Sequence, residues 1–247
     1  VTVSPLVNTT YTLIGTNALG CSATKTVAVI INPSPTITVS ASTPSICAGS
    51  SAVLTASGAV TYSWNPGGLS GTSVTVTPIV TTTYTVTGTN LTGCTGQKTI
   101  TIIVVPIPTI TANASPVAIC PGSSSTLTAT GATSYTWNPG GLSGTPVTVT
   151  PTITTTYTLI GSSGGCSTNT TVIVTVNPTP TLTATASPTA ICPGGSSTLS
   201  ATGGVSYTWN PGGLSGSPVT VSPVVNTIYT LIGTDAIGCS AIKIEVQ

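Results

Sequence analysis

The eleven residues SYTWNPGGLSG at 134–144 return letter for letter at 206–216, and a near copy, TYSWNPGGLSG, stands at 61–71. Repetition at a fixed period constrains the fold more than any single motif, because each repeat must be one structural unit. The motif V-T-V-[ST]-P begins at Val1, Val74, Val147 and Val219, in steps of 73, 73 and 72 residues. Tyr11, Tyr84, Tyr157 and Tyr229 keep the spacing, as do Cys21, Cys94, Cys166 and Cys239. The chain therefore reads as the second half of a repeat (1–32, strands E to G) followed by full repeats at 33–105, 106–177 and 178–247. The linkers NPSPT (32–36), VPIPT (105–109) and NPTPT (177–181) each place two prolines one residue apart, which favours an extended, semi-rigid connection. Residues 1–25 match 219–243 at all but five positions, and match 74–98 less well. A higher period of three repeats follows, and the chain reads as a window in a longer array.

Inside each repeat every signal is β. Runs such as VTVTP, TYTVTG and STLTATG alternate with period two and are broken by Pro-Gly, Gly-Gly and Asn-containing turns. In the first full repeat the pattern predicts strand A over 36–41, B over 51–56, C over 61–64, E over 74–77, F over 83–88 and G over 98–104. NPGGLSG is then the turn leaving strand C. Short strands of this number in about 70 residues predict an all-β fold of tandem immunoglobulin-like antiparallel sandwiches. Stacked end to end at roughly 35 Å each, they would make an elongated rod. Trp64, Trp137 and Trp209 stand where such a sandwich packs its core tryptophan, and Tyr84, Tyr157 and Tyr229 stand at the tyrosine-corner position opening strand F. Ala56 and Val86 take the places of an inter-sheet disulfide, leaving a plain apolar core. An exposed sugar-binding platform is the competing role for the tryptophans; core packing is the favoured one.

Composition removes whole classes of function. Among 247 residues the charged side chains are Lys25, Lys98, Lys243, Asp235 and Glu245, and histidine is absent. Proton-transfer catalysis needs a titratable group beside its substrate, and no Ser-His-Asp or Cys-His arrangement can be built without histidine. The two acids lie together near the C-terminus, which leaves no distributed carboxylates for glycoside hydrolysis or calcium. The expectation is a non-enzyme with no cofactor and no metal. A net charge of +1 makes nucleic acid a poor partner. The longest aliphatic runs, VAVII (27–31) and ITIIVV (100–105), are far below the ~20 residues of a membrane span. Abundant, regularly alternating β-branched residues argue against disorder.

The order C-x-G-S-S, L-T-A, Y-x-W, T-T-Y-T-V, G-C resembles the Ig-like and PKD-like repeats of very large secreted surface proteins of Bacteroidota. In the first full repeat it is carried by Cys47, Gly49, Leu54, Trp64, Tyr84 and Cys94. The resemblance covers essentially the whole chain and implies a gliding-adhesin or type IX-secreted protein, located at the cell surface or outside the cell. The scarcity of aspartate departs from the acid-rich turns of many such repeats. Regular cysteine spacing in a small β domain agrees with an oxidising compartment.

Three functions remain: a structural stalk or extracellular filament, which is favoured; a carbohydrate- or surface-binding module; and a passive spacer of a secreted hydrolase. Identical loops without functional groups suit the first. Expected partners are the adjacent repeats, and identical chains in a fibre, since a surface of Thr, Ser and Gly has little charge to guard its strand edges. The sequons at Asn8, Asn90, Asn113 and Asn169 carry little weight in a bacterial protein.

The seven cysteines, Cys21, Cys47, Cys94, Cys120, Cys166, Cys192 and Cys239, allow three regular pairings. Pairing inside a repeat would join Cys47–Cys94, Cys120–Cys166 and Cys192–Cys239. Pairing across a linker would join Cys21–Cys47, Cys94–Cys120 and Cys166–Cys192. Skipping one would join Cys47–Cys166 and Cys120–Cys239, leaving Cys21 and Cys192 to partners outside residues 1–247. Cysteines near the A–B turn and the F–G hairpin of one repeat lie at opposite ends of it, roughly 23 Å apart, whereas a disulfide needs Cα atoms within about 7 Å. The skipping pattern, a staple between consecutive repeats, is favoured; pairing inside a repeat stays open.

Overall fold

Strict alternation writes the core: in Ala52–Ser57 every second side chain is buried, and the residues between are exposed. The computed structural model describes residues 1–246, so Gln247, the last residue of the third repeat, lies outside the described residues. In the half repeat β1 (Thr9–Thr16) pairs with β2 (Ser22–Val29). The first full repeat holds β3 (Thr38–Ala41), β4 (Ser45–Cys47), β5 (Ala52–Ser57), β6 (Thr61–Asn65), β7 (Leu69–Ser70), β8 (Ser73–Val76), β9 (Thr82–Thr89) and β10 (Thr95–Val105). One sheet runs β3-β5-β8 and the other β4-β10-β9-β6-β7. Pairing is antiparallel except between β4 and the end of β10, where Ser45–Cys47 run parallel to Ile103–Val105.

Leu54 and Ala56 from the first sheet meet Trp64, Val86 and Ile102 from the second in one core, each at 4 % exposure or less. The same arrangement recurs around Leu127, Trp137, Leu159 and Val174, and again around Leu199, Trp209 and Leu231. The chain is thus a tandem of immunoglobulin-like sandwiches built from strands alone. It divides into two compact units, Val1–Ile107 and Pro108–Gln247, and their boundary falls inside the linker VPIPT.

Two strands exceed the sequence reading. β4 and β7 are three and two residues long, too short for a period-two pattern to register. β7 forms because Leu69 folds back opposite Trp64 across the Asn-Pro-Gly-Gly turn. The half repeat corrects another expectation, since residues 1–5 form no strand although Ser73–Val76, Val147–Val149 and Val219–Val221 do. Those three strands are each held by pairing with a strand B, such as β5, and residues 1–32 contain no such partner. Within residues 1–32 Leu13 is 72 % exposed, whereas its equivalent Leu231, in a full repeat, is 0 %.

Candidate functional site

The tryptophan loop comes first, because sequence alone left it two roles. After strand Ser134–Asn138 the chain turns through a cis Asn138–Pro139 bond and two glycines at φ 105° and 59°, a region that side-chain-bearing residues avoid. Leu142 then returns opposite Trp137, and the indole Nε1–H donates to the Gly144 carbonyl at 3.0 Å. Trp64 and Trp209 donate in the same way to Gly71 and Gly216 at 3.0 and 3.1 Å. All three indoles are at most 1 % exposed, so their faces are core and present no platform to a sugar ring. The polar end of each ring is satisfied by its own loop, which explains why loop and tryptophan are repeated together.

Tyr84, Tyr157 and Tyr229 are buried at 6 % exposure. Burial pushes the Tyr84 and Tyr157 phenols up from their ordinary value. Sequence reasoning missed a second tyrosine set, Tyr62, Tyr135 and Tyr207, two residues before each tryptophan. Their hydroxyls donate to the carbonyls of Ala59, Ala132 and Gly204 at 2.8, 2.8 and 2.6 Å. They also accept from the amides of the same residues, clamping the B–C turn. The Y-x-W spacing was the signal available: the tyrosine on the tryptophan's own face of the strand must bring its hydroxyl to the strand's end.

The residues that act between repeats are cysteines. Cys120 and Cys239 form a disulfide, with S–S 2.02 Å and Cα–Cα 5.4 Å, and so join the second full repeat to the third. Pairing inside a repeat is excluded for both, because each has its partner in the other repeat. Cys47 and Cys166 are disulfide-bonded too. Cys21, Cys94 and Cys192 are free thiols, so Cys94 joins the two that the skipping pattern leaves over. Cys94 is half-buried, and its thiol donates to the Asn32 carbonyl at 3.4 Å.

Both sides of the staple are preorganised by backbone bonds. On one side, Cys120 follows the short strand Ala118–Ile119; Ser123 N–H donates to the Cys120 carbonyl at 3.0 Å and Gly122 N–H to Pro151 O at 3.3 Å. Buried Ser125 closes the turn by donating to Pro116 O at 2.7 Å. On the other side, Asp235 Oδ1 accepts from the amides of Ile237 and Cys239, both at 2.9 Å. This hairpin holds Cys239 fully buried. One of the chain's two acids therefore shapes a turn.

Chemistry beyond this is sparse. Two surface grooves, of about 250 and 430 Å³, are lined by Thr, Ala, Ile, Pro, Val, Asn, Leu and Gly, without a titratable side chain in either. Among the described residues no three acidic, histidine or cysteine side chains gather as a metal site, and no helix is long and apolar enough to cross a membrane.

Neither a protein-family model nor a curated protein matches this chain. Among solved structures it is similar to the ICAM-5 D1–D4 ectodomain fragment, at 13% identity over 98% of this chain and 82% of that one, with a TM-score of 0.41. It is similar to the titin I-band fragment I67–I69 at 10% identity, over 87% and 98%, with a TM-score of 0.39. It is also similar to a Ca²⁺-stabilized adhesin with which an Antarctic bacterium binds ice, at 15% identity over 98% and 81%, with a TM-score of 0.36.

Proposed function

We propose that this chain is a tension-carrying segment of an extracellular or cell-surface stalk or filament, of the adhesin type, and not an enzyme. The observation that carries this reading is the disulfide between consecutive sandwiches, Cys120 to Cys239. A bond placed between domains adds nothing to the core of either; it limits how far the pair can be drawn apart. Strand order supports the same reading. β4 lies near the entry of its repeat and β10 at the exit, and they run parallel. Tension on the two ends therefore slides one along the other, loading Ile103 N–H to Pro44 O (2.9 Å) and Ala48 N–H to Val105 O (3.0 Å) together instead of one by one. The second repeat is tied at the same place, by Thr175 N–H to Val117 O and Asn177 N–H to Ile119 O, both at 2.9 Å; both bonds are donated by the exit strand, because Pro121 stands in the place of Ala48 and has no N–H.

The disulfides fit a secreted protein, in the oxidising space outside a cell. Lateral association of identical chains is favoured by a surface nearly free of charge. The finer assignment, a gliding-adhesin or type IX-secreted protein of Bacteroidota with Ig-like or PKD-like repeats, rests on the sequence resemblance. Brief protease treatment of intact cells that make the protein tests the reading. It should release the peptide pair linked through Cys120 and Cys239. Recovery of these peptides only after lysis, with both thiols reduced, would reject an extracellular role.

A further inference from the structure

The sheet β3-β5-β8 ends on β8, and the full repeats do not all end it alike. Two bonds fix which way its backbone points. Ser42 N–H donates to Val53 O and Ala56 N–H to Thr72 O, at 2.9 and 2.8 Å, so β5 bonds to β3 through its odd-numbered residues and to β8 through its even-numbered ones. With Leu54 opposite Val74 and Ala52 opposite Val76, the even-numbered residues of β8 spend their N–H and C=O on β5. Gly49 N–H to Pro78 O, at 3.2 Å, keeps that phase past the end of the strand. Ser73, Thr75 and Thr77 therefore turn their N–H and C=O away from the sheet, and all three are exposed. In the second and third repeats Pro146 and Pro218 take the place of Ser73, and proline has no N–H to offer. Beside the edge the difference runs the same way. Val53, opposite Thr75 and 38 % exposed, stands where the other repeats have Thr126 and Thr198. At the other edge the chain leaves the sheet, passing from β3 into β4, which pairs with β10 of the opposite one.

We infer that β8 is a pairing edge, to which the β8 of a second copy of this chain adds antiparallel and extends the sheet. A strand whose outward groups sit at 73, 75 and 77 is its own complement about a two-fold axis through Thr75. Thr75 then exchanges both bonds with Thr75 of the second copy, and Ser73 exchanges both with Thr77. The side chains agree with this register. Val74 and Val76 stay buried on the core face, while Thr75 meets Thr75 on the outer face with Val53 flanking on each side. No charge opposes the contact, since the one charged residue in 33–105, Lys98, lies on β10 of the other sheet. Natural sheets guard such edges with proline or lysine; the second and third repeats have the proline, and the first has neither. The inference names the strand behind the lateral association proposed above; it rests on that association and not on where the protein is located.

Sedimentation of the whole chain, with Cys21, Cys94 and Cys192 alkylated so that no new disulfide forms, reads the association. The unsubstituted chain should form dimers. Ser73→Pro, which copies the second and third repeats, should weaken the dimer by at least about tenfold. Thr75→Lys and Thr75→Glu each set like charges opposite one another across the axis and should weaken it as much when alone. Mixed, these two variants should pair at least as tightly as the unsubstituted chain. On dimer formation the Ser73, Thr75 and Thr77 amides should gain hydrogen-exchange protection, and those of Thr148 and Thr220 should not. Protection of the Leu54 amide checks that each variant is folded. A dimer that survives Ser73→Pro, or Thr75 variants that do not rescue each other, would overturn the inference and leave lateral association standing. A chain that stays monomeric at millimolar concentration would overturn both.

Discussion

Replacing Trp137 by alanine separates the core role of the repeated loop from a binding role. The indole is fully buried, and its N–H satisfies the Gly144 carbonyl at 3.0 Å. Burying a tryptophan removes about 150–250 Å² from water, or about 4–6 kcal/mol at roughly 25 cal/mol per Å², an upper bound because unfolded chains are partly compact. Truncations of this kind cost about 3–5 kcal/mol by experience. A domain of about 72 residues has only about 4–11 kcal/mol in total. Trp137→Ala should therefore unfold the second repeat or leave it barely stable. Trp137→Phe keeps most of the apolar area but strands the Gly144 carbonyl, and should cost about 1–3 kcal/mol. Hydrogen exchange read by mass spectrometry assigns the loss, comparing peptides from 125–176 with those from 37–104 as an internal control. Unchanged protection in 125–176, to within about 0.5 kcal/mol, together with lost retention on a polysaccharide, would refute the core reading.

Gly131 sits at φ +97°, and a Cβ there would overlap the Thr109 carbonyl oxygen, a backbone atom that cannot step aside. Gly131→Ala should lower the second repeat's stability by more than about 2 kcal/mol, while Gly141→Ala, at φ +59° with open space around it, should cost about 1 kcal/mol; equal melting points would contradict this. Stability should be nearly flat from about pH 3 to 9, because so few groups titrate. The buried Tyr84 and Tyr157 phenols have raised pKa values, so the folded state holds its protons longer than the unfolded one. Their contribution is complete below the unfolded value of 10.0 and is lost as pH climbs from there through the higher folded value, so denaturation midpoints should begin to fall only above about pH 10. Non-reducing peptide mapping should find Cys120 linked to Cys239 and no Cys47–Cys94, Cys120–Cys166 or Cys192–Cys239 peptide; any of those three would mean the repeat ends are misplaced.

The β architecture was legible because alternation and the 72–73-residue period act over many residues at once. β5, β6, β8 and β9 lie within one or two residues of their expected bounds. β10 begins three residues early, at Thr95, because F–G pairing continues past the apolar pattern into Gly96 and Gln97. β4 and β7 escaped notice because their register comes from tertiary pairing, with the end of β10 and with Trp64. The tyrosine clamp escaped because Y-x-W reads equally well as plain alternation. The staple was partly legible: spacing named the candidate pairs, and strand length argued against joining the two ends of one repeat. The surplus of Cys94 needed only counting, since two pairs among seven cysteines leave three.

The central claim is that a disulfide bridges consecutive sandwiches and limits their extension. Pulling single chains by their termini to full extension, oxidised and reduced, tests it most directly. The Cys120–Cys239 bond takes 119 residues out of the stretchable path, about 430 Å at about 3.6 Å per residue. The account predicts that the oxidised chain stops at least about 430 Å short of the reduced one. Equal full extension in the two states would contradict it.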